Sequence, residues 1–270
     1  FLSLIFLIAV VLQFLSLDMK KFISEIDMFH EGLWLTASSN AIYTNKFWES
    51  SYIGRGLFGN FYNFFVWKIT NINSIGFSRL IPLLLTFCNK ILLIFIAKSL
   101  VEKCHLNKIE KNLFFIILSI LLINLFSYDI TAGSYYRLFI LLIFVFFLLN
   151  FFDNLKSKSF SFLCIGLLSS SSLFWFIDIG IFINFIIIIF AIFLILNKLY
   201  SNFFYLFFYI ILGWFFWFIL LPEKEFISFY DNTINILKSI EYIGGLIYPT
   251  PFFSKDARST RALLLILVTG

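Results

Sequence analysis

The chain has 270 residues, 61% of them hydrophobic and 13% charged, with a formal net charge of +5. Ordinary globular chains are about 45–50% apolar, so a soluble domain is excluded, and recurring apolar runs of about 20 residues predict an all-α, polytopic transmembrane helical bundle. The positive charge is spread over loops, which calls for lipid headgroups and not nucleic acid as its counterpart.

In chain order, apolar runs at about 1–17, 79–99, 112–128, 137–152, 160–177, 179–196 and 203–221 predict seven full or nearly full spans. An eighth begins at about 261. The first run is under way at Phe1 and the last breaks off at Gly270, so the chain is expected to be a single transmembrane domain over 1–270, truncated at both ends. Cys88 and Cys164 lie in apolar runs and Cys104 in a short loop, without CxxC spacing. A disulfide framework or thiolate metal site is not expected.

The short connections 100–111, 153–159 and 197–202 carry Lys103, Lys108, Lys111, Lys156, Lys158 and Lys198. By the positive-inside rule these face the cytoplasm. The first long loop, 18–78, and the later loop, 222–260, then lie outside, with 129–136 and the turn at Asp178. Of the 15 acidic residues, 12 fall on that side, which suggests chemistry or binding there. Long loops hold more residues of every kind, and that alone explains part of the bias.

The first outer loop opens with Lys21–Trp34, KFISEIDMFHEGLW. Read as a helix, Phe22, Ile26, Phe29 and Leu33 form one apolar stripe. Asp27, His30, Glu31 and Trp34 fall on an adjacent face. An amphipathic helix of this kind lies along a membrane surface, apolar stripe in lipid and acidic stripe lifted clear. Helix is expected to continue over Thr36–Phe47, and Phe58–Trp67 reads as an interfacial aromatic segment. Arg55 sits in a Gly-rich turn, SYIGRGLFGN, able to bring backbone N–H groups near an anion.

Further along, SYDITAGSYYR supplies Asp129, Tyr135, Tyr136 and Arg137, and Asp178 is the lone charge of FWFIDIGIF. A carboxylate between two spans is costly beside hydrocarbon and is expected to be paired. Lys90 lies in mid-span. Ser169–Ser172 gives its span a small-residue face suited to close packing.

A first span followed directly by a long outer loop with an Asp/Glu pair, and an acidic residue in the next outer loop, resembles the GT-C superfamily of membrane glycosyltransferases. Protein O-mannosyltransferases and lipid A aminoarabinose transferases belong to it, and DMFHEG and YYR look like signatures of uncharacterised bacterial members. Glu25-Ile26-Asp27 matches the family's ExD signature. The resemblance implies a polyprenyl-phosphate-linked sugar donor, with an acceptor that is a glycan, lipid or protein. It places the enzyme in a bacterial plasma (inner) membrane, with its active site toward the periplasm or exterior. Asp27 matches the catalytic base, Asp129 the second acidic site and Arg137 the phosphate-binding arginine. The departure is that only a few residues match in motif.

The chemistry can be stated without the family. A base must take the acceptor's proton, a cation must hold the leaving phosphate, and the site must sit where a lipid tail stays in the bilayer. The candidate catalytic residues are Asp27, Glu25, Glu31 and Asp129; the candidate substrate-binding residues are Arg137, Tyr136, His30, Arg55 and Asp178. Each has a bland alternative. Asp27 and Asp129 can be helix-capping charges, Glu31 can orient Asp27 or pair with a lysine, and Arg137 can snorkel to headgroups. Lys90 can pair or snorkel. No cofactor is required; a divalent metal on Asp27, His30 and Glu31 is the alternative. The competing functions are a transporter or flippase of lipid-linked sugars and a non-catalytic membrane protein.

Overall fold

The computed structural model describes residues 30–51, 56–124, 134–153 and 158–244, with Val11, Phe252, Thr260, Arg261, Leu263 and Leu264. Among these residues the chain is helical, with no strand. The helices are α1 His30–Thr44, α2 Leu57–Thr70, α3 Ile75–Lys103, α4 Lys108–Asn124, α5 Ser134–Asp153, α6 Lys158–Trp175, α7 Ile177–Leu196, α8 Tyr200–Leu220 and α9 Glu223–Gly244.

Three of them, α3, α7 and α8, are long and apolar enough to cross a membrane. Arg137–Phe151 of α5 and Phe160–Trp175 of α6 are shorter apolar stretches. The outward faces of α7 and α8 expose Phe182, Phe185, Ile188, Phe204, Phe208 and Phe215 among many others. A monomer in water rarely presents so large a contiguous apolar surface; lipid is its natural solvent, and the protein is a membrane protein.

The core runs between α5, α6, α7 and α8, where Phe144, Phe162, Ile165, Ile183, Leu194 and Leu206 are fully covered. The closest crossing is α6 on α8. A Cβ on Gly166 would stand 2.5 Å from the Tyr209 Cβ, and one on Gly213 would stand 2.7 Å from the Ser170 hydroxyl. With hydrocarbon outside, helices gain little from hiding apolar surface, so small residues that admit close backbone approach hold them together. The serines expected to form a packing face lie along this helix: Ser170 and Ser172 are buried, and Ser171 Oγ accepts from the Trp217 indole at 3.0 Å. Asn184 of α7 donates to the carbonyls of Ser169 and Gly180, and accepts from the Ser169 hydroxyl. The two bonds with Ser169 join α6 to α7.

Helix ends follow local chemistry. Asn107 caps α4 by accepting from the N–H groups of Ile109 and Glu110, while Glu110 accepts from the N–H of Asn107. This is a reciprocal capping box with Asn at its head. At the end of α7, Leu199 N–H donates to Leu194 O and Lys198 N–H to Ile195 O. Lys198 occupies the left-handed position, φ 56°, that glycine usually fills in this stop signal.

Several boundaries differ from the sequence reading. The apolar run read as 112–128 is helical over Lys108–Asn124, because the capping box starts the helix earlier. The stretch read as an interfacial aromatic segment belongs to α2, and its Phe61, Tyr62, Phe64 and Trp67 are buried inside the protein. The later loop 222–260 contains a 22-residue helix, α9.

Candidate functional site

Residues of α1, α2 and α3 meet at Phe176, the one-residue extended joint between α6 and α7 (φ −154°, ψ 117°). Phe176 is buried with Trp34 of α1 and Tyr62 of α2, flanked by Ile81, Leu85, Trp175 and Ile179. Trp34 and Tyr62 meet edge to face, their ring centres 6.0 Å apart. The guanidinium of Arg137, in the first turn of α5, lies 5.0 Å from the Phe176 ring centre, close enough for a cation–π contact. Gly56 packs at the same joint: a Cβ there would be 2.5 Å from the carbonyls of Phe174 and Trp175. The Gly-rich turn therefore needs its glycine for close approach to the end of α6.

Two ion pairs flank this joint. Glu31 and Arg79 form a bidentate pair, Nε to Oε1 at 2.7 Å and a terminal guanidinium nitrogen to Oε2 at 2.8 Å. Their side chains are only 5% and 4% exposed. The second pair is looser and half-exposed: Arg137 approaches Asp178 at 3.5 Å, while Asp178 also accepts from the N–H of Ile179. Asp178, expected to be paired, has Arg137 as its partner.

The acidic stripe of α1 is not lifted clear of the protein at Glu31. Glu31 and Trp34 both point into the structure and are nearly inaccessible. The reason is Arg79: a buried carboxylate needs an opposite charge and matched hydrogen bonds, and a planar guanidinium supplies both. This pairing was not legible in the sequence, where Arg79 merely opens a span and lies 48 residues from its partner.

Asp27, Glu25, Asp129 and Arg55 lie outside the described residues, as do residues 21–29 of the expected amphipathic helix. His30 begins α1 and Tyr136 lies in the first turn of α5. Among the described residues, no group of three or more His, Cys, Asp or Glu side chains could hold a metal ion. Lys90 and Asn89 are buried in mid-α3.

Sequence reading also missed Glu225. Its carboxylate, 4% exposed, accepts from the N–H groups of Phe47, Trp48 and Glu49 at 2.8, 2.9 and 3.4 Å. Two turns further along α9, Asn232 donates to the Trp48 carbonyl. Phe229 lies between them, meeting the Trp48 ring edge to face and the Phe174 ring at a tilt. The available signal was a 3–4 spacing, Glu225, Phe229 and Asn232, in a segment otherwise polar enough to read as loop.

No family model matches the sequence, and no curated protein or solved structure is similar to it.

Proposed function

We propose that the chain is an integral-membrane glycosyltransferase of GT-C type, transferring a sugar from a polyprenyl-phosphate donor on the outer membrane face. The observation that carries this reading is the convergence of α1, α2, α3, α5 and the α6–α7 joint on Phe176. Arg137 stands half-exposed in that cluster, over the Phe176 ring. Asp27 precedes α1 by three residues and is the base in this reading; Glu25 and Asp129 are the further carboxylates. Glu31 has both oxygens engaged by Arg79, so in this reading it fixes the first turn of α1 and positions the site without acting as the base. Arg137 has a long contact to Asp178 and stands half-exposed, which leaves N–H donors for a leaving phosphate. The site lies at the ends of apolar helices, where a lipid tail remains in the bilayer while its sugar reaches water. The plasma membrane, the polytopic topology and the outward orientation belong to the same proposal.

Arg137→Lys tests the phosphate role. The planar fork is lost while the charge remains, so the apparent affinity for donor should fall by roughly tenfold, the loss of about one charge-assisted hydrogen bond. A donor dependence unchanged from wild type would reduce Arg137 to a headgroup anchor.

Orientation has its own test. Cysteine labels beside Lys108 and Lys158 should react only from the cytoplasm, and labels beside Trp48 and Tyr230 only from outside. The reverse pattern would turn the acidic cluster toward nucleotide-sugar donors and overturn the lipid-phosphate assignment.

The second reading, a transporter of lipid-linked sugars, is favoured by the buried Lys90 in mid-α3, since intramembrane charges often mark a transport path. It predicts donor movement across sealed vesicles without any new glycosidic bond, and product analysis separates the two.

A further inference from the structure

A pocket of about 290 Å³ opens near the other end of α1 from Glu31, lined by Ile42, Phe64, Trp67, Lys68, Asn71 and Asn73. Sites for small molecules run from about 300 to 1,000 Å³, so this one fits one or two small rings. Its wall is apolar: Ile42, Phe64 and Trp67 supply it, and the two aromatic side chains are buried. Its rim is polar, with one ammonium and two carboxamides, all exposed.

The rim is held in shape before any ligand arrives. Trp67 Nε1–H donates to the Ser74 carbonyl at 3.1 Å, and Ile72 N–H donates to Thr70 Oγ1 at 3.3 Å. Asn71 takes the left-handed conformation that ends α2, φ 55°. Lys68 Nζ is held between Asn45 Oδ1 at 3.2 Å and the Phe64 ring at 5.0 Å from its centre. An ammonium carries three donors, and this one has others to give.

The chemistry points to a sugar. Carboxamides donate and accept at once, which suits neighbouring hydroxyls on a ring, and the apolar wall suits its C–H face. The fixed ammonium adds a preference for an acidic substituent. Glu31 and Ile42 are eleven residues apart on one helix, which at ~1.5 Å per residue is about 16 Å. A single pyranose cannot occupy this pocket and also react near the start of α1.

We propose that the pocket binds a distal, acidic sugar residue of an extended glycan acceptor, anchoring it while another residue of the same glycan is modified. This rests on the transfer reaction proposed above and names the class of its acceptor.

The test uses the full chain in nanodiscs of phosphatidylcholine, titrated calorimetrically with trigalacturonic acid, maltotriose and inorganic phosphate. Trigalacturonic acid should bind, and maltotriose more weakly. Lys68→Met should weaken the acidic ligand by about ten- to a hundred-fold, the size of a charge-assisted hydrogen bond. Asn71→Gly, which keeps the left-handed turn but removes the amide, should also weaken it. Should Lys68→Met fail to accumulate, Asn73→Asp substitutes for it, setting a like charge against the ligand and predicting the same loss. Equal binding by wild type and Lys68→Met, or equal binding of maltotriose, overturns the proposal. Complete displacement of trigalacturonic acid by phosphate, or by adding phosphatidylglycerol to the nanodiscs, would make this a headgroup site and overturn it too.

The two proposals fail separately. If trigalacturonic acid binds as described but Asp27→Asn leaves transfer intact, the base assignment falls alone. If Asp27→Asn abolishes transfer but no variant at Lys68, Asn71 or Asn73 changes binding, the pocket assignment falls alone.

Discussion

Asp27→Asn should lower sugar transfer by about 10²–10⁴ while the protein still inserts and accumulates, because Asn keeps the shape of the side chain but cannot take a proton and general base catalysis has that magnitude. Asp27→Glu should keep part of the activity, since its carboxylate survives one methylene out of place. A structural role for Asp27 predicts something different: loss of stable protein in the Asn variant, or no change at all. Membrane abundance and transfer measured on the same two variants separate the cases. Near-wild-type transfer by Asp27→Asn would move the base to Glu25 or Asp129. Glu31 is the poorest substitute, since Arg79 engages both of its oxygens.

Arg79→Met should destabilise the protein by about 3–5 kcal/mol, the cost of leaving a buried charge without its partner. Glu31 would remain in a site that is almost closed to solvent. The double variant Glu31→Leu, Arg79→Leu should recover most of that loss, because two apolar side chains of similar volume satisfy the same space without a desolvation penalty. Thermal unfolding in detergent reads both. A single variant as stable as wild type would show that the pair contributes nothing there. In the double variant, transfer should still fall even where stability returns, since the start of α1 loses the bidentate link that orients it.

The sequence discloses the apolar helices because membrane thickness imposes a length and a composition that read locally. The capping box at Asn107 and Glu110 is just as local, three residues apart, but a reading that follows only apolar runs starts that helix at 112 and passes over it. The sequence does not disclose pairings made at a distance. Glu31 looks like one member of an acidic stripe, and only its meeting with Arg79 turns that residue inward. The aromatic run Phe58–Trp67 has the composition of a membrane-interface belt, yet neighbouring helices cover it. The helix α9 was obscured by its polar residues, several of which face solvent, while Glu225 is buried. Of the proposed site, the arginine and aspartate at 137 and 178 were both singled out in sequence, and their proximity across Phe176 is a property of the fold alone.

The clasp that Glu225 makes on residues 47–49 also sets an order of events during synthesis. The two sides of this contact lie 176 to 178 positions apart in the chain. At about 5–20 residues per second, roughly 9 to 36 seconds pass between the emergence of the Phe47–Glu49 turn and the arrival of its acceptor. During that interval three backbone N–H groups have no carboxylate to meet, and the layer formed by α1 and α2 stays unsealed. The layer of α1 and α2 is thus made early and finished late, and a ribosome that stalls before Glu225 leaves a nascent chain with an open turn for quality-control proteases to find.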